Sequence, residues 1–117
     1  MSWYLTITAD AGQESVGVAP LLVEFLAKLP ELRQTGPASF GPAPGEPWVA
    51  VILAKTGPTG GYATDGSLPP SIDIVELVCS DSEYGTGWYD SLAARIAAFL
   101  GWVAVEEDEN RQVWPPP

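Results

Sequence analysis

The stretch SIDIVELVCSDSEYGTGWYDSLAARIAAFLGWVAV, residues 71–105, decides the fold. Residues 71–80 are apolar on both alternating faces, with one carboxylate on each, which predicts a central strand. An acidic loop over residues 81–87 leads into a helix over 88–100, where apolar side chains recur at helical spacing. Gly101 is placed to end that helix, and residues 102–105 return as a strand. We expect the rest of the chain to pack against this unit.

Five other segments complete the predicted secondary structure. Residues 2–9 alternate Trp3, Leu5 and Ile7 on one side with Tyr4, Thr6 and Thr8 on the other, which predicts a strand with one face in the core. A short amphipathic helix is predicted over 20–29, and residues 48–54 form a strand covered on both faces. Residues 34–47 are rich in Gly and Pro, which favours a loop or an irregular edge hairpin. Residues 111–114 are a candidate antiparallel partner of the strand that follows Gly101.

These elements predict one α+β domain over residues 1–117, with an irregular tail over 113–117. The expected architecture is a two-layer sandwich, with two helices on one face of a mainly antiparallel sheet of four or five strands. The order β-α-β-β-α-β is that of a ferredoxin-like fold. The lone Cys79 lies in an apolar run, and we expect it to be a small buried hydrophobe.

The charge of the chain is strongly negative and unevenly distributed. Fifteen acidic and five basic residues give a net charge of -10. Residues 61–117 hold ten acids and two bases, a net charge of -8, whereas residues 1–60 contribute -2. Such a field repels nucleic acid and anionic lipid and favours a basic protein partner. Solubility alone is the alternative explanation.

The composition offers few groups for catalysis or metal binding. The absence of His excludes imidazole triads and most zinc sites. The glycines of residues 55–70 lack the Lys-Ser/Thr and the helix start of a phosphate-binding loop. No acidic cluster shows the ligand pattern of an EF-hand loop. We therefore expect a non-enzyme with no cofactor or metal. The N-terminus lacks the features of a secretory signal and no apolar run spans a bilayer, so we expect a cytoplasmic protein.

Three groups of acidic and aromatic residues are candidates for contact with a protein partner, because Tyr and Trp beside carboxylates suit an interface with a basic surface. The first comprises Asp81, Glu83, Tyr84, Trp88 and Asp90. The second comprises Glu106, Glu107 and Asp108, in the predicted tip of the last hairpin. The third comprises Tyr62 and Asp65, in the long segment between two strands.

Each group also has a purely structural interpretation. Acids near the start of a helix are favoured by its dipole, which accounts for Asp81 and Glu83. Trp88 and Tyr89 also suit the seam between helix and sheet. Four consecutive carboxylates after residue 105 form a solvated turn in the simplest interpretation. Residues 55–70 then only connect two strands.

The whole chain resembles the immunity proteins that protect bacteria from contact-delivered or type VI-secreted toxins. The resemblance rests on SWYLTITAD (2–10) leading to a helix, and on GWYDSLAARIAAFLGW (87–102) leading to an acidic tail that contains Trp. Small size, acidity, absence of a signal and element order add to it. The resemblance implies a stoichiometric inhibitor that occludes the active site of a cognate toxin, or a nearby surface. The toxin would then act in the cytoplasm, as a nuclease or a nucleotide-consuming enzyme does.

Three other functions fit the same sequence. An acidic nucleic-acid mimic of the phage type needs carboxylates spaced like phosphates along one surface. A small ligand-binding ferredoxin-like module needs a closed apolar pocket with a few convergent polar groups. A dedicated chaperone or assembly factor binds an unfolded or apolar segment in place of a folded basic domain.

Overall fold

The computed structural model describes residues 2–8, 18–54, 72–80, 87–107 and 110–115. Within these ranges two helices accompany a single antiparallel sheet. The elements in chain order are β1 (Ser2–Thr8), α1 (Val18–Ala27), β2 (Leu32–Gly36), β3 (Ser39–Pro42), β4 (Val49–Ala54), β5 (Ile74–Ser80), α2 (Gly87–Leu100), β6 (Val103–Glu106) and β7 (Arg111–Trp114). The sheet order is β2-β3-β4-β5-β1-β6-β7. The chain is therefore α+β, with a sheet that dominates the helices.

The prediction of a four- to five-stranded ferredoxin-like sandwich is wrong, because the sheet has seven strands. The segment rich in Gly and Pro contributes to two of them, β2 and β3, which form a hairpin at one edge. Its prolines are compatible with strands because of where they lie. Pro37 is in the turn between the two strands, and Pro42 is the last residue of β3. A turn and the end of a strand tolerate the missing N–H groups.

The core lies between one face of the sheet and the two helices. Leu5 of β1 is opposite Leu77 of β5, and Leu77 is opposite Val51 of β4. All three side chains are buried. Phe40 of β3 is opposite Val51, is buried and extends the same face. The alternation predicted for residues 2–9 therefore places one face of β1 in the core.

Each helix buries part of its predicted apolar stripe in this core. Leu22 and Leu26 of α1 are buried, as are Leu92 and Ile96 of α2. The ring of Phe25 on α1 stacks on that of Phe99 on α2, with centroids 4.3 Å apart and planes at 18°. This contact and the common core place both helices on the same side of the sheet.

The predicted end of α2 at Gly101 is confirmed. Gly101 has a φ of 72°, a left-handed conformation that costs glycine little. The amide of Trp102 donates a hydrogen bond to the carbonyl oxygen of Ala97 at 3.0 Å, as in a Schellman motif. Both Trp102 and Ala97 are buried, so the motif also delivers β6 to the core.

Both edges of the sheet carry features that oppose pairing with another strand. The β2–β3 register shifts between Gln34 and Gly36, and Pro37 follows β2 directly. At the other edge the β6–β7 register also shifts, and Pro115 follows β7 directly. Such irregularities and prolines are common protections of edge strands.

Candidate functional site

One end of the sheet brings together residues that are far apart in the sequence. At this end β1 and β7 begin, β5 and β6 end, and α2 begins. The pairing of Ser2 with Ser80 and of Leu5 with Glu106 fixes this arrangement. We call it the aromatic–acidic end. Its described members are Trp3, Tyr4, Trp48, Trp88, Tyr89, Asp90, Glu106, Glu107 and Arg111.

Tyr89 organises the aromatic part of this end. Its ring is fully buried and makes edge-on contacts with Trp3 and Trp88, with centroids 5.3 and 5.1 Å apart. Its hydroxyl donates a hydrogen bond of 2.7 Å to the carbonyl oxygen of Trp48. The first turn of α2 is thus bound to β1 and to the start of β4. Tyr89 lies in the helix–sheet seam, whereas Trp88 keeps part of its surface accessible.

Trp48 is the exposed aromatic residue that the sequence reasoning missed. Its side chain is 50% exposed, although the strand pattern placed it inside a strand covered on both faces. In the structure β4 begins one residue later, at Val49, which is buried. Trp48 and Trp88 therefore both present indole surface at the aromatic–acidic end.

The carboxylate of Asp90 is bound to an arginine. Arg111 donates two hydrogen bonds to it, of 3.1 and 3.2 Å, a bidentate arrangement that links β7 to α2. Asp90 was predicted to contact a partner, and the structure shows that its charge is already compensated within the chain. Arg111 had no predicted role, because nothing in its local sequence indicates a partner 21 positions away.

The location predicted for Glu106 in a solvated hairpin tip is wrong. Glu106 is the last residue of β6 and only 6% exposed. It is opposite Leu5 in the β1–β6 register, so it lies on the face that the helices cover. It is also opposite Arg111 in the β6–β7 register. A one-residue difference in register determines which face a strand residue occupies, and this pairing is not visible locally.

Glu107, by contrast, is exposed at the same end. Its amide donates a hydrogen bond of 3.1 Å to the carbonyl oxygen of Tyr4. Its carboxylate accepts a hydrogen bond from the hydroxyl of Thr6. Tyr4 and Thr6 belong to the face of the sheet opposite the helices. Glu107 therefore presents a fixed negative charge at the rim of the aromatic–acidic end.

Cys79 lies beneath this end and its thiol is unreactive. The side chain is buried on the core face, opposite Trp3. Burial, followed by the negative charges of Asp90 and Glu106, raises the pKa of the Cys79 thiol to about 12. The thiol therefore stays protonated near neutral pH and does not supply a thiolate nucleophile. Within the described residues no three His, Cys, Asp or Glu side chains form a group that could hold a metal ion.

Six predicted contact residues lie outside the described residues. They are Asp81, Glu83, Tyr84, Asp108, Tyr62 and Asp65. Ser80 and Gly87, which flank the first three, both belong to the aromatic–acidic end, as does Glu107, which precedes Asp108. Ala54 and Ile72, which flank the segment with Tyr62 and Asp65, lie at the opposite end of β4 and β5. The described members of the first two predicted groups thus lie at one end of the sheet, and the residues that flank the third group lie at the other.

Neither of the helices in the described parts of the chain is long and apolar enough to cross a membrane. No protein-family model matches this sequence, and a search of curated proteins finds no significant match.

Proposed function

We propose that this chain is an immunity protein that binds a cognate bacterial toxin and neutralises it by covering the toxin's active site or a nearby surface. The observation that carries the proposal is the convergence at the aromatic–acidic end. Trp88, Asp90 and Glu107, which come from two stretches predicted separately as contact regions, lie at the same end of the sheet. The exposed Trp48 adds to them from a third part of the chain.

The charge of the second half of the chain supports a basic partner. Residues 61–117 carry a net charge of -8, and their only two bases are Arg95 and Arg111. Arg95 pairs with Glu31 at 2.7 Å, and Arg111 pairs with Asp90. These bases are therefore engaged within the chain, and the remaining acidic residues of this half keep an excess of negative charge. Complementary charge speeds the encounter with a basic protein and disfavours other partners.

The aromatic residues supply the part of the binding energy that charge does not. Exposed carboxylates at the rim of an interface contribute little affinity, whereas buried Trp and Tyr anchors contribute most of it. Trp48 offers half of its surface, and Trp88 is held by Tyr89 in a fixed position. Trp48 directly precedes β4, where Tyr89 holds its carbonyl oxygen, and Trp88 is part of α2, so the backbone at both positions is ordered before a partner covers the indoles.

Affinity capture followed by a growth assay tests this proposal. The tagged chain is used as bait in a lysate of the bacterium that produces it, beside a Trp48→Ala/Glu107→Lys variant and a Glu24→Lys control. Glu24 is an exposed acid on α1, away from the aromatic–acidic end. We expect wild type and control to retain a basic protein that the double variant loses.

The captured protein is then expressed alone and together with the chain. We expect growth arrest by the captured protein alone, and restored growth when wild-type chain is present in equal amount. A captured protein that is harmless, or whose toxicity the chain does not relieve, would exclude the immunity function.

A further inference from the structure

The outer surface of the helix layer carries an exposed apolar patch that the proposed function does not use. Leu21 of α1 is 59% exposed and Phe99 of α2 is 45% exposed. Phe25, one turn after Leu21, stacks on Phe99 and joins the two helices into one surface. We call Leu21, Phe25 and Phe99 the helix-layer patch. Contiguous exposed apolar surface of this kind marks an interaction site more often than isolated apolar residues do.

The charges around this patch cancel within the helix layer. Glu24 pairs with Lys28 at 3.6 Å on α1, and Glu31 pairs with Arg95 of α2 at 2.7 Å. Among the described residues, these two acids and two bases pair with one another and their charges cancel, whereas the whole chain carries -10. The helix-layer patch therefore offers nothing that would select a charged partner.

We propose that the helix-layer patch is a self-association surface through which two copies of this chain form a twofold-symmetric dimer. Two molecules with a net charge of -10 repel one another over most orientations. The repulsion is weakest where the neutral helix layers meet. The patch is apolar on both copies, so a twofold axis through it places the apolar surface of one copy against the same surface of the other. Pairing through the sheet edges is the competing route, and register shifts and prolines oppose it at both edges.

This dimer keeps the aromatic–acidic ends apart and free. Phe99 is twelve residues after Gly87, which corresponds to about 18 Å along α2 at 1.5 Å per residue. This separation exceeds the Debye length of about 8 Å at physiological ionic strength, so the acidic residues of one copy are largely screened from the other. The dimer therefore does not depend on the proposed immunity function, and neither excludes the other.

The expected dimer is weak because the surface is small. Two helices side by side, each about 10 Å wide, cover a footprint of about 20 by 20 Å. Stable interfaces bury about 800 Å² on each partner, which is one-eighth of the 6313 Å² surface of this chain. The footprint of the two helices is only about half of that area. We therefore expect weak, reversible association.

Sedimentation analysis of the full chain at about 1 µM to about 1 mM tests the dimer. We expect the average mass to rise with concentration toward twice that of one chain. Leu21→Ser should raise the dissociation constant at least about tenfold, because each copy loses an exposed leucine from the interface. Trp48→Ser is the matched control, since it removes another half-exposed apolar side chain at a different site. Screening by about 0.5 M NaCl should strengthen association.

Three results would overturn the dimer. The first is a monomer throughout the concentration range. The second is a loss of association in Trp48→Ser as large as that in Leu21→Ser. The third is a wild-type monomer that binds an amphipathic helical peptide in a Leu21-dependent manner, which would assign the patch to a partner helix. Phe99→Ser provides a second interface variant, and thermal unfolding of every variant shows that the compared chains are folded.

Discussion

Arg111, at the start of β7, holds Asp90, in the first turn of α2, through two hydrogen bonds of 3.1 and 3.2 Å. The same arginine is opposite the buried Glu106 in the β6–β7 register. One cation therefore lies at the junction of an edge strand, its neighbouring strand and the start of a helix. This junction fixes the last element of the chain to the aromatic–acidic end.

Replacing Arg111 with Gln should destabilise the protein by about 1 kcal/mol, since the pair with Asp90 is partly exposed and solvent screening reduces its value. Urea unfolding of Arg111→Gln, Asp90→Asn and the double variant measures the coupling between the two side chains. We expect a coupling free energy of about 0.5–1 kcal/mol. Strictly additive effects would mean that the pair seen in the structure contributes nothing to stability.

Tyr89→Phe should cost about 1 kcal/mol, because it removes the hydroxyl that donates to the carbonyl oxygen of Trp48 and keeps the ring. Tyr89→Ala should cost about 3–5 kcal/mol, since it also removes a fully buried ring between Trp3 and Trp88. Equilibrium unfolding measures both. Equal losses of unfolding free energy in the two variants would contradict the expectation that ring packing contributes more than the hydrogen bond.

Gly101→Ala should destabilise the protein by about 1 kcal/mol, because the residue has a φ of 72° at the end of α2. A Cβ atom at this position meets no atom within 4 Å, so the cost is purely conformational. Gly87→Ala is the matched control, since a Cβ also finds open space there but the residue begins the helix. Thermal unfolding should show a lowered Tm for Gly101→Ala and an unchanged or raised Tm for Gly87→Ala.

Cys79 should make the protein less stable as the pH rises above about 8.5, the ordinary pKa of a thiol. Burial raises the pKa of Cys79 to about 12 in the folded state, so the unfolded chain loses this proton first. The folding free energy gained from the protonated thiol is complete below that range and declines as the pH approaches the folded pKa.

Urea unfolding at pH 8 and pH 10 measures this decline, and Cys79→Val should reduce it by removing the thiol's share. A thiol reagent should also leave native Cys79 unmodified and label it in urea. Rapid labelling of the folded protein at neutral pH would show that the thiol is accessible and ionised.

Glu107→Lys should weaken binding of the captured partner at least about tenfold, mainly through a slower association rate, because it reverses a charge at the rim of the aromatic–acidic end. Glu24→Lys is the control, since it makes the same change in net charge on α1. Surface plasmon resonance at low and high salt measures the association rates of both variants and separates the local effect of Glu107 from the effect of net charge. An equal loss in both variants would show that net charge alone determines binding.

The amino-acid sequence determined the elements whose signals are local. Alternation in residues 2–9, the apolar run before residue 54 and the helical stripe after Trp88 each depend on neighbours within a few positions. The glycine at position 101 ends α2 because of its own backbone preference. The hairpin of β2 and β3 was one of two alternatives for residues 34–47, because the local sequence does not show whether a segment rich in proline lies at a sheet edge.

The acidity of the chain and its concentration after residue 60 are likewise properties of the sequence alone. Only the tertiary structure decided which of these acids are exposed to solvent. Glu106 and Glu107 are adjacent in the sequence, yet one is buried opposite Leu5 and the other is exposed beside Thr6. Strand register makes this choice, because successive residues of a strand face opposite sides and the register depends on contacts about a hundred residues apart.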